Sequence, residues 1–163
     1  MKCLNPPFSA MMGSQVTCIR LLRYELNRNR ISLRTELASD LPPVKGDPVQ
    51  LQQVLINLVM NAIESLRASA DRLREILIRS AKNLDGALVQ VDDSGPGIRP
   101  EPADRIFEPF FTTKPQGIGM GLSISRSIVE SHGGRLWAKP GELHGVRFQF
   151  TVPMADTSDE RAA

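Results

Sequence analysis

The stretch "REILIRSAKNLDGALVQVDDSGPGI", residues 74–98, decides the fold class. Two runs within it, "REILIRSAK" and "ALVQVDD", are typical of strands, and residues 83–86 between them are typical of a hairpin turn. A second strand pair, "RLWAKPG" followed by "GVRFQFTVP", is predicted near the end of the chain. A doubly wound parallel sheet needs a helix between successive strands. The two hairpins therefore exclude that fold.

Three helices are predicted around these strands. Residues 15–30 and the segment from Asp47 to about residue 69 repeat apolar side chains at helical spacing, with Asp47 as N-cap. "GLSISRSIVESHGG", residues 121–134, predicts a helix closed by its two final glycines. "ISLRTELA" predicts a further strand, and the prolines of "SDLPPVKGDP" predict an irregular linker. This order predicts an α+β fold, a mixed and mostly antiparallel sheet covered on one face by helices.

Composition narrows the class of protein. The chain has 163 residues, enough for one domain with a core, and its net charge of +2 gives no support for nucleic-acid binding. Its two cysteines show neither zinc spacing nor a disulfide framework, which is typical of a reducing compartment. We find no signal peptide or membrane span. We expect a leader or disordered segment at 1–14, one domain at 15–153 and a disordered tail at 154–163.

Two asparagines of the long helix are candidate metal ligands. Asn57 and Asn61 are four residues apart and therefore lie on one side of the helix. Amide oxygens are hard ligands of the kind that Mg²⁺ prefers. Taken alone, the pair is more simply explained as surface or hydrogen-bonding asparagines.

Asp93 is a candidate for base recognition. It ends a predicted strand, where a carboxylate could accept a hydrogen bond from the exocyclic amine of adenine. Gly95 and Gly97, which follow it, would let the backbone approach a flat ring. An aspartate that only ends a strand before a turn is the alternative, and on these residues alone it is favoured.

"GIGMGL", residues 117–122, is a candidate phosphate-binding segment. Glycines at a helix start expose backbone N–H groups, and the helix dipole attracts anions there. The spacing and context match neither a dinucleotide-binding fingerprint nor a Walker A loop. Thr112, Thr113 and Lys114 come just before it and could contact the outer phosphates.

"RIFEPFFTTK", residues 105–114, contains Phe107, Phe110 and Phe111, half of the chain's six phenylalanines. A loop this apolar must pack against something. It is either a fixed flap on the core or a lid that closes over a ligand.

The order "NLVMNA", "DDSGPGI", "FEPFFTTK", "GIGMGL" resembles the catalytic ATP-binding domain of bacterial sensor histidine kinases. That domain belongs to the superfamily shared with gyrase B, Hsp90 and MutL. The resemblance extends over about residues 15–153. "LPPVKGDPVQLQQVLINLVMNAIES" and "SISRSIVESHGGRLW" resemble the kinase members in particular.

The resemblance implies a Bergerat-type two-layer α/β sandwich, with residues 99–118 as a mobile ATP lid. Asn61 would coordinate Mg²⁺, Asn57 would lie near the phosphates, and Asp93 would bind adenine. Asn57, Asn61 and Lys114 would form the catalytic group. The other residues expected to contact ATP are Gly95, Gly97, Ile98, Phe107, Thr112, Thr113, Gly117, Gly119, Gly121 and Leu122.

The resemblance also implies a reaction, the transfer of the γ-phosphoryl group to a histidine on a separate dimerisation domain and, indirectly, to a response regulator. Related ATPases carry a water-activating glutamate where this chain has Asn57, and an amide cannot act as a general base. An ATPase of this superfamily and an anti-sigma serine kinase are the alternatives.

His132 and His144 are the chain's two histidines, and neither stands in an acceptor motif. We therefore expect that the isolated chain does not phosphorylate itself. We further expect a monomeric, cytoplasmic domain without membrane or nucleic-acid contacts, whose parent protein is either soluble or membrane-anchored.

Overall fold

The computed structural model describes residues 3–4, 16–68, 73–98, 104–112, 117 and 119–155. Its helices are α1 (Val16–Arg28), α2 (Pro48–Arg67) and α3 (Gly121–Ser131), and Arg105–Phe107 forms a 3₁₀ turn. Its strands are β1 (Cys3–Leu4), β2 (Ser32–Leu37), β3 (Val44–Lys45), β4 (Glu75–Asn83), β5 (Gly86–Asp93), β6 (Leu136–Pro140) and β7 (Val146–Pro153). None of the described helices is long and apolar enough to cross a bilayer.

The main sheet has five strands in the order β2-β4-β5-β7-β6. The β4–β5 and β6–β7 pairs are antiparallel neighbours, which confirms both predicted hairpins. β2 and β4 pair in parallel, and α2 lies between them in the chain, as a parallel connection requires. The sheet is therefore mixed and mostly antiparallel, and the predicted α+β fold is confirmed.

Helix α2 joins the two layers. Its start is confirmed, because the Asp47 side chain accepts hydrogen bonds from the backbone N–H groups of Val49 and Gln50 and Pro48 stands in the first turn. One side of the helix is buried, and full burial of each large apolar side chain contributes about 1.5–3 kcal/mol. The buried side chains are Leu51, Val54, Leu55, Leu58, Val59, Ala62, Ile63 and Leu66.

The sheet meets these helices with one face. Side chains alternate along a strand, so every second residue of β5 and β7 points into the core. Val89, Val91, Phe148 and Phe150 are buried there in one cluster with the α2 residues. The intervening residues lie on the opposite face, which no described helix covers.

His132 links the end of α3 to the start of α2. Its Nδ1 lies 2.7 Å from the Ile128 carbonyl oxygen, and its Nε2 accepts the Asp47 backbone N–H at 2.9 Å. These partners require the neutral ring with the proton on Nδ1. Gly133 follows with φ +77°, as the αL position after a helix requires. The structure thus gives His132 a structural role.

The prediction of an irregular linker at residues 39–48 was wrong at Val44–Lys45, which form β3. Pro42 and Pro43 precede this strand, and β3 pairs with β1 while Val44 bridges to Met154. The predicted leader and tail fall mostly outside the described residues. Within them, Cys3–Leu4 and Met154 are paired with β3.

The open face of the sheet carries alternating charges. Arg147 on β7 pairs with Asp92 on β5, and both side chains are almost fully buried. Glu142, in the turn between β6 and β7, pairs with Arg147 and with Arg79 of β4. Arg79 also pairs with Glu36 of β2. These contacts connect four of the five strands from the side away from the helices.

The ion pairs of Glu142 on this face make its contribution to the stability of the fold depend on pH in the acid range. Arg147, and next Arg79, lower the pKa of its carboxyl from the ordinary 4.5 to about 2. Because the folded-state pKa is the lower one, the stability that Glu142 contributes is complete above pH 4.5 and is lost as the pH falls through 2. We expect the difference in urea midpoint between the wild type and Glu142→Gln to be constant near neutral pH and to shrink over that acid range. Ser127→Ala, a non-titrating exposed control, should show no such change, and a constant Glu142 difference down to pH 2 would contradict the assignment.

Candidate functional site

The end of β5 places a carboxylate inside the protein. Asp93 is 1% exposed, and its Oδ1 accepts the backbone N–H of Gly95 at 2.8 Å. Strand alternation directs this side chain toward the helical layer. A buried acid with a fixed orientation is suited to directional recognition, because a ligand without the matching donor would lose one hydrogen bond to the carboxylate.

Two glycines, Gly95 and Gly145, lie in close contact with this acid. A Cβ added to Gly95 would lie 2.5 Å from Ser65 Oγ of α2, and one added to Gly145 would lie 2.1 Å from the Asp93 carbonyl oxygen. Gly97 has φ +82°, a conformation that glycine adopts without strain. The surface around Asp93 is therefore built of backbone, which allows a flat ring to approach closely.

Asn57 lies where α2 meets the start of α3. Its Nδ2 donates to Ser125 Oγ at 3.2 Å and lies 3.5 Å from the Gly121 carbonyl oxygen, while its Oδ1 accepts from Gln53 at 3.0 Å. Ser125 is fully buried and in turn donates to the Gly121 carbonyl. Asn57 is thus held beside the N-terminus of α3, where backbone N–H groups favour an anion.

Asn61 lies one helical turn further along α2 and is partly buried, between the level of Asn57 and that of Ser65. The spacing places the predicted metal ligand between the predicted phosphate and base ends of the site. Among the described residues, no three His, Cys, Asp or Glu side chains gather as a metal site. The amide oxygen of Asn61 is a ligand of the kind that Mg²⁺ prefers, and the phosphates that accompany the ion would supply further oxygens.

The glycine cluster is packed against the phenylalanine segment. Gly119 has φ +72°, and a Cβ there would lie 2.7 Å from backbone atoms of Phe110 and Phe111. The Phe110 N–H donates to the Gly119 carbonyl at 3.0 Å. Gly121, by contrast, has open space around its Cα. Close packing against the phenylalanine segment requires glycine at position 119, and the open space at Gly121 leaves the start of α3 accessible.

The phenylalanines divide between the two predicted roles. Phe107 is buried, with its ring edge-on to Phe148 at 6.2 Å and the Arg126 guanidinium over its face. Phe110 is 72% exposed and has φ +64°, which is uncommon for a residue with a Cβ. Phe107 therefore anchors this segment to the core, while Phe110 projects into solvent.

The remaining predicted residues are placed as follows. Ile98 and Leu122 are partly buried against the core, and Thr112 and Gly117 are exposed. Thr113 and Lys114, and half of the predicted lid at 99–118, lie outside the described residues. The nucleotide contacts assigned to all these residues, and to Phe107, stay predictions.

Sequence reasoning missed two supports of the site, Ser65 and Ser125. Both are small polar residues on helices, a pattern too common to be informative before the helices are packed together. It also assigned no role to Asp92, although the paired acids of "DDSGPGI" and the later Arg147 were visible. Only the sheet register places that arginine opposite Asp92.

A shallow groove lies elsewhere, on the outer side of α3. It is lined by Gln50, Pro109, Met120, Ser123, Ile124, Ser127, Ile128 and Ser131. It contains none of the predicted site residues. The end of β5, where a buried acid is enclosed by closely packed glycine backbone, is therefore the candidate binding site.

Comparison with known proteins agrees with this geometry. Residues 46–156 match the family model described as histidine kinase-, DNA gyrase B-, and HSP90-like ATPase. The sensor protein FixL of Bradyrhizobium diazoefficiens is 43% identical over 127 residues, which cover 77% of this chain and 25% of FixL. The chain thus spans about a quarter of the length of such curated relatives.

Solved structures give the same result. The nucleotide-free catalytic domain of the histidine kinase ThkA superposes with a TM-score of 0.78 at 36% identity, covering 94% of this chain and 96% of that domain. ThkA in complex with the response regulator protein TrrA matches at 33% identity, TM-score 0.74 and coverage of 92% and 41%. Full-length ShkA in complex with AMPPNP matches at 25% identity, TM-score 0.77 and coverage of 95% and 32%. The chain belongs to the histidine kinase-, DNA gyrase B- and HSP90-like ATPase family, and within it to the catalytic domains of sensor histidine kinases.

Proposed function

We propose that this domain binds Mg-ATP with its adenine at Asp93 and its phosphates near the start of α3. The observation that carries the proposal is the buried Asp93 carboxylate, fixed by Gly95 and enclosed by glycine backbone. The complex of the related ShkA with AMPPNP supports an adenine nucleotide as the ligand.

Asn61 would hold the Mg²⁺ through its amide oxygen. The ion would supply charge neutralisation on the phosphate oxygens. Asn57, held beside the α3 N-terminus, would position the phosphates without removing a proton from water, because an amide is not a base at neutral pH. This arrangement favours phosphoryl transfer over hydrolysis, and so favours the kinase over an ATPase.

The proposed reaction transfers the γ-phosphoryl group to a histidine of a separate dimerisation domain. The bond from the γ-phosphorus to the β,γ-bridging oxygen breaks, a P–N bond to the imidazole forms, the imidazole proton is lost and ADP leaves. The protein contributes orientation and electrostatic stabilisation, as is general in phosphoryl transfer. Lys114 is proposed to join Asn57 and Asn61 in this role.

The acceptor is proposed to come from another domain because His132 is occupied within the fold. Both of its ring nitrogens have backbone partners, and His144 lies in a turn with φ +70°. A response regulator would then receive the phosphoryl group from the acceptor domain, and the ThkA–TrrA complex supports a partner of this class. We propose a cytoplasmic location for the domain, where ATP is available.

Substitution of Asp93 and Asn61 should separate the base and metal contributions. Asp93→Asn keeps an acceptor for Gly95 but loses the charge, so ATP and ADP binding should both weaken at least about tenfold, since charged hydrogen bonds contribute about 1.5–3 kcal/mol. Asn61→Ala should weaken ATP binding in Mg²⁺ and leave binding in EDTA nearly unchanged. Calorimetric titration measures both, with the exposed Asp85→Asn as control. Equal losses for Asn61→Ala with and without Mg²⁺ would argue against its metal role.

The separate acceptor can be tested with labelled ATP. The isolated chain should form no phosphoramidate, because neither of its histidines is placed as an acceptor. Fusion of the chain to the dimerisation domain of a related sensor kinase should label the acceptor histidine, and Asn61→Ala in the fusion should reduce the rate. His132→Gln and His144→Gln serve as controls. Label on the isolated wild-type chain that either control removes would refute the proposal.

A further inference from the structure

Three charged residues on the open face of the sheet hold the turn between β6 and β7. We call Asp92, Arg147 and Glu142 the anchoring cluster. Arg147 Nε donates to both carboxylate oxygens of Asp92, at 2.9 and 2.8 Å, and the backbone N–H of Glu142 donates to Oδ1 of Asp92 at 3.2 Å. Arg147 Nη2 lies 2.8 Å from Glu142 Oε1 as a close ion pair without hydrogen-bond geometry.

The same turn forms one wall of the proposed base site. Within residues 141–145, the Gly141 N–H donates to the Gly145 carbonyl at 2.9 Å. Gly145 is packed so closely that an added Cβ would lie 2.3 Å from Asp93 Oδ1. A Cβ on Gly97 would lie 3.6 Å from the His144 carbonyl. A shift of this turn would therefore move the atoms that surround Asp93.

Asp92 and Asp93 are adjacent in β5 and so point to opposite faces of the sheet. Asp92 is fully buried against the turn, and Asp93 is buried toward α2. One acid of "DDSGPGI" thus holds the turn from outside, while the other faces the ligand from inside.

The Arg147 guanidinium stays charged at neutral pH. Burial acts to lower the pKa of Arg147, but its contacts with Asp92 and Glu142 outweigh this effect and raise the pKa. A buried ion pair gives little stability relative to an apolar pair of the same size, because desolvation offsets the attraction. Its directional contacts do fix geometry, and here the geometry is that of the turn.

We infer that the anchoring cluster determines the preference for adenine by positioning the β6–β7 turn against Asp93. The inference rests on the proposed nucleotide site. Asp92, Arg147 and Glu142 act on the opposite side of the sheet and are positioning residues. Their loss should reduce discrimination between adenine and guanine, because Asp93 would no longer be held in the orientation that accepts the adenine amine.

The test compares ATP and GTP affinities at saturating Mg²⁺. In Asp92→Asn/Arg147→Gln both charges are removed together, so no buried charge is left unpaired. We expect its ratio of ATP to GTP affinity to fall at least about fivefold. Glu142→Gln, an exposed change that leaves the buried pair intact, should lower the ratio in the same direction by a smaller factor. Arg34→Gln, on the same face at the far edge strand, is the matched control and should leave the ratio unchanged.

A merely structural role predicts a different pattern, namely a lower unfolding temperature with an unchanged ratio in the folded protein. A double-mutant cycle with Asp93→Asn adds a second measurement. If the cluster acts through Asp93, removing it should cost little further ATP affinity once Asp93 is changed.

An unchanged ratio in folded Glu142→Gln and in the double variant would overturn the inference, as would an equal fall in Arg34→Gln. If the double variant does not fold, the ratio of ATP to GTP affinity in Glu142→Gln alone decides whether the inference holds. A wild type that shows no adenine preference, or one unaffected by Asp93→Asn, would instead refute the proposed nucleotide site, so the two failures are distinguishable.

Discussion

The burial of one side of α2 against the sheet is the interaction on which the rest of the structure depends. Eight apolar side chains of this helix are buried, and they meet the alternate residues of β5 and β7 in one core. Because burial fixes the orientation of the helix, it also fixes the positions of the polar side chains along the edge of its buried side. Asn57 then meets the start of α3, and Ser65 meets Gly95. The chemistry of the site is thus a consequence of core packing.

The second constraint is the strand alternation at the end of β5. It sends Asp93 into the protein and Asp92 to the other face, so two identical neighbouring side chains receive different partners. Asp93 accepts from Gly95, and Asp92 binds Arg147 and the turn that carries Gly145. The proposed recognition of the base and the inferred positioning of the surrounding backbone are therefore connected through one strand.

Where prediction failed, the cause was long-range pairing. β3 forms because β1 and Met154 lie beside it, and those partners are far from it in sequence. Ser125 and Arg147 gain their roles only when α3 packs on α2 and β7 pairs with β5. Phe107 and Phe110 stand three residues apart in one apolar segment, yet one is buried and the other is exposed. Local composition does not distinguish them, because exposure depends on what packs nearby.

The sequence alone determined the strand pairs at 74–93 and 135–153, the capped start of α2, the fold class and the family. These properties depend on hydrophobic period, turn chemistry and short motifs, all of which are local. Only the tertiary structure decided which residues meet: Asn57 with Ser125, Gly145 with Asp93, and Arg147 with Asp92. Each of these contacts joins residues at least 50 positions apart, and only the packing of the two layers and the sheet register bring them within hydrogen-bond or van der Waals distance.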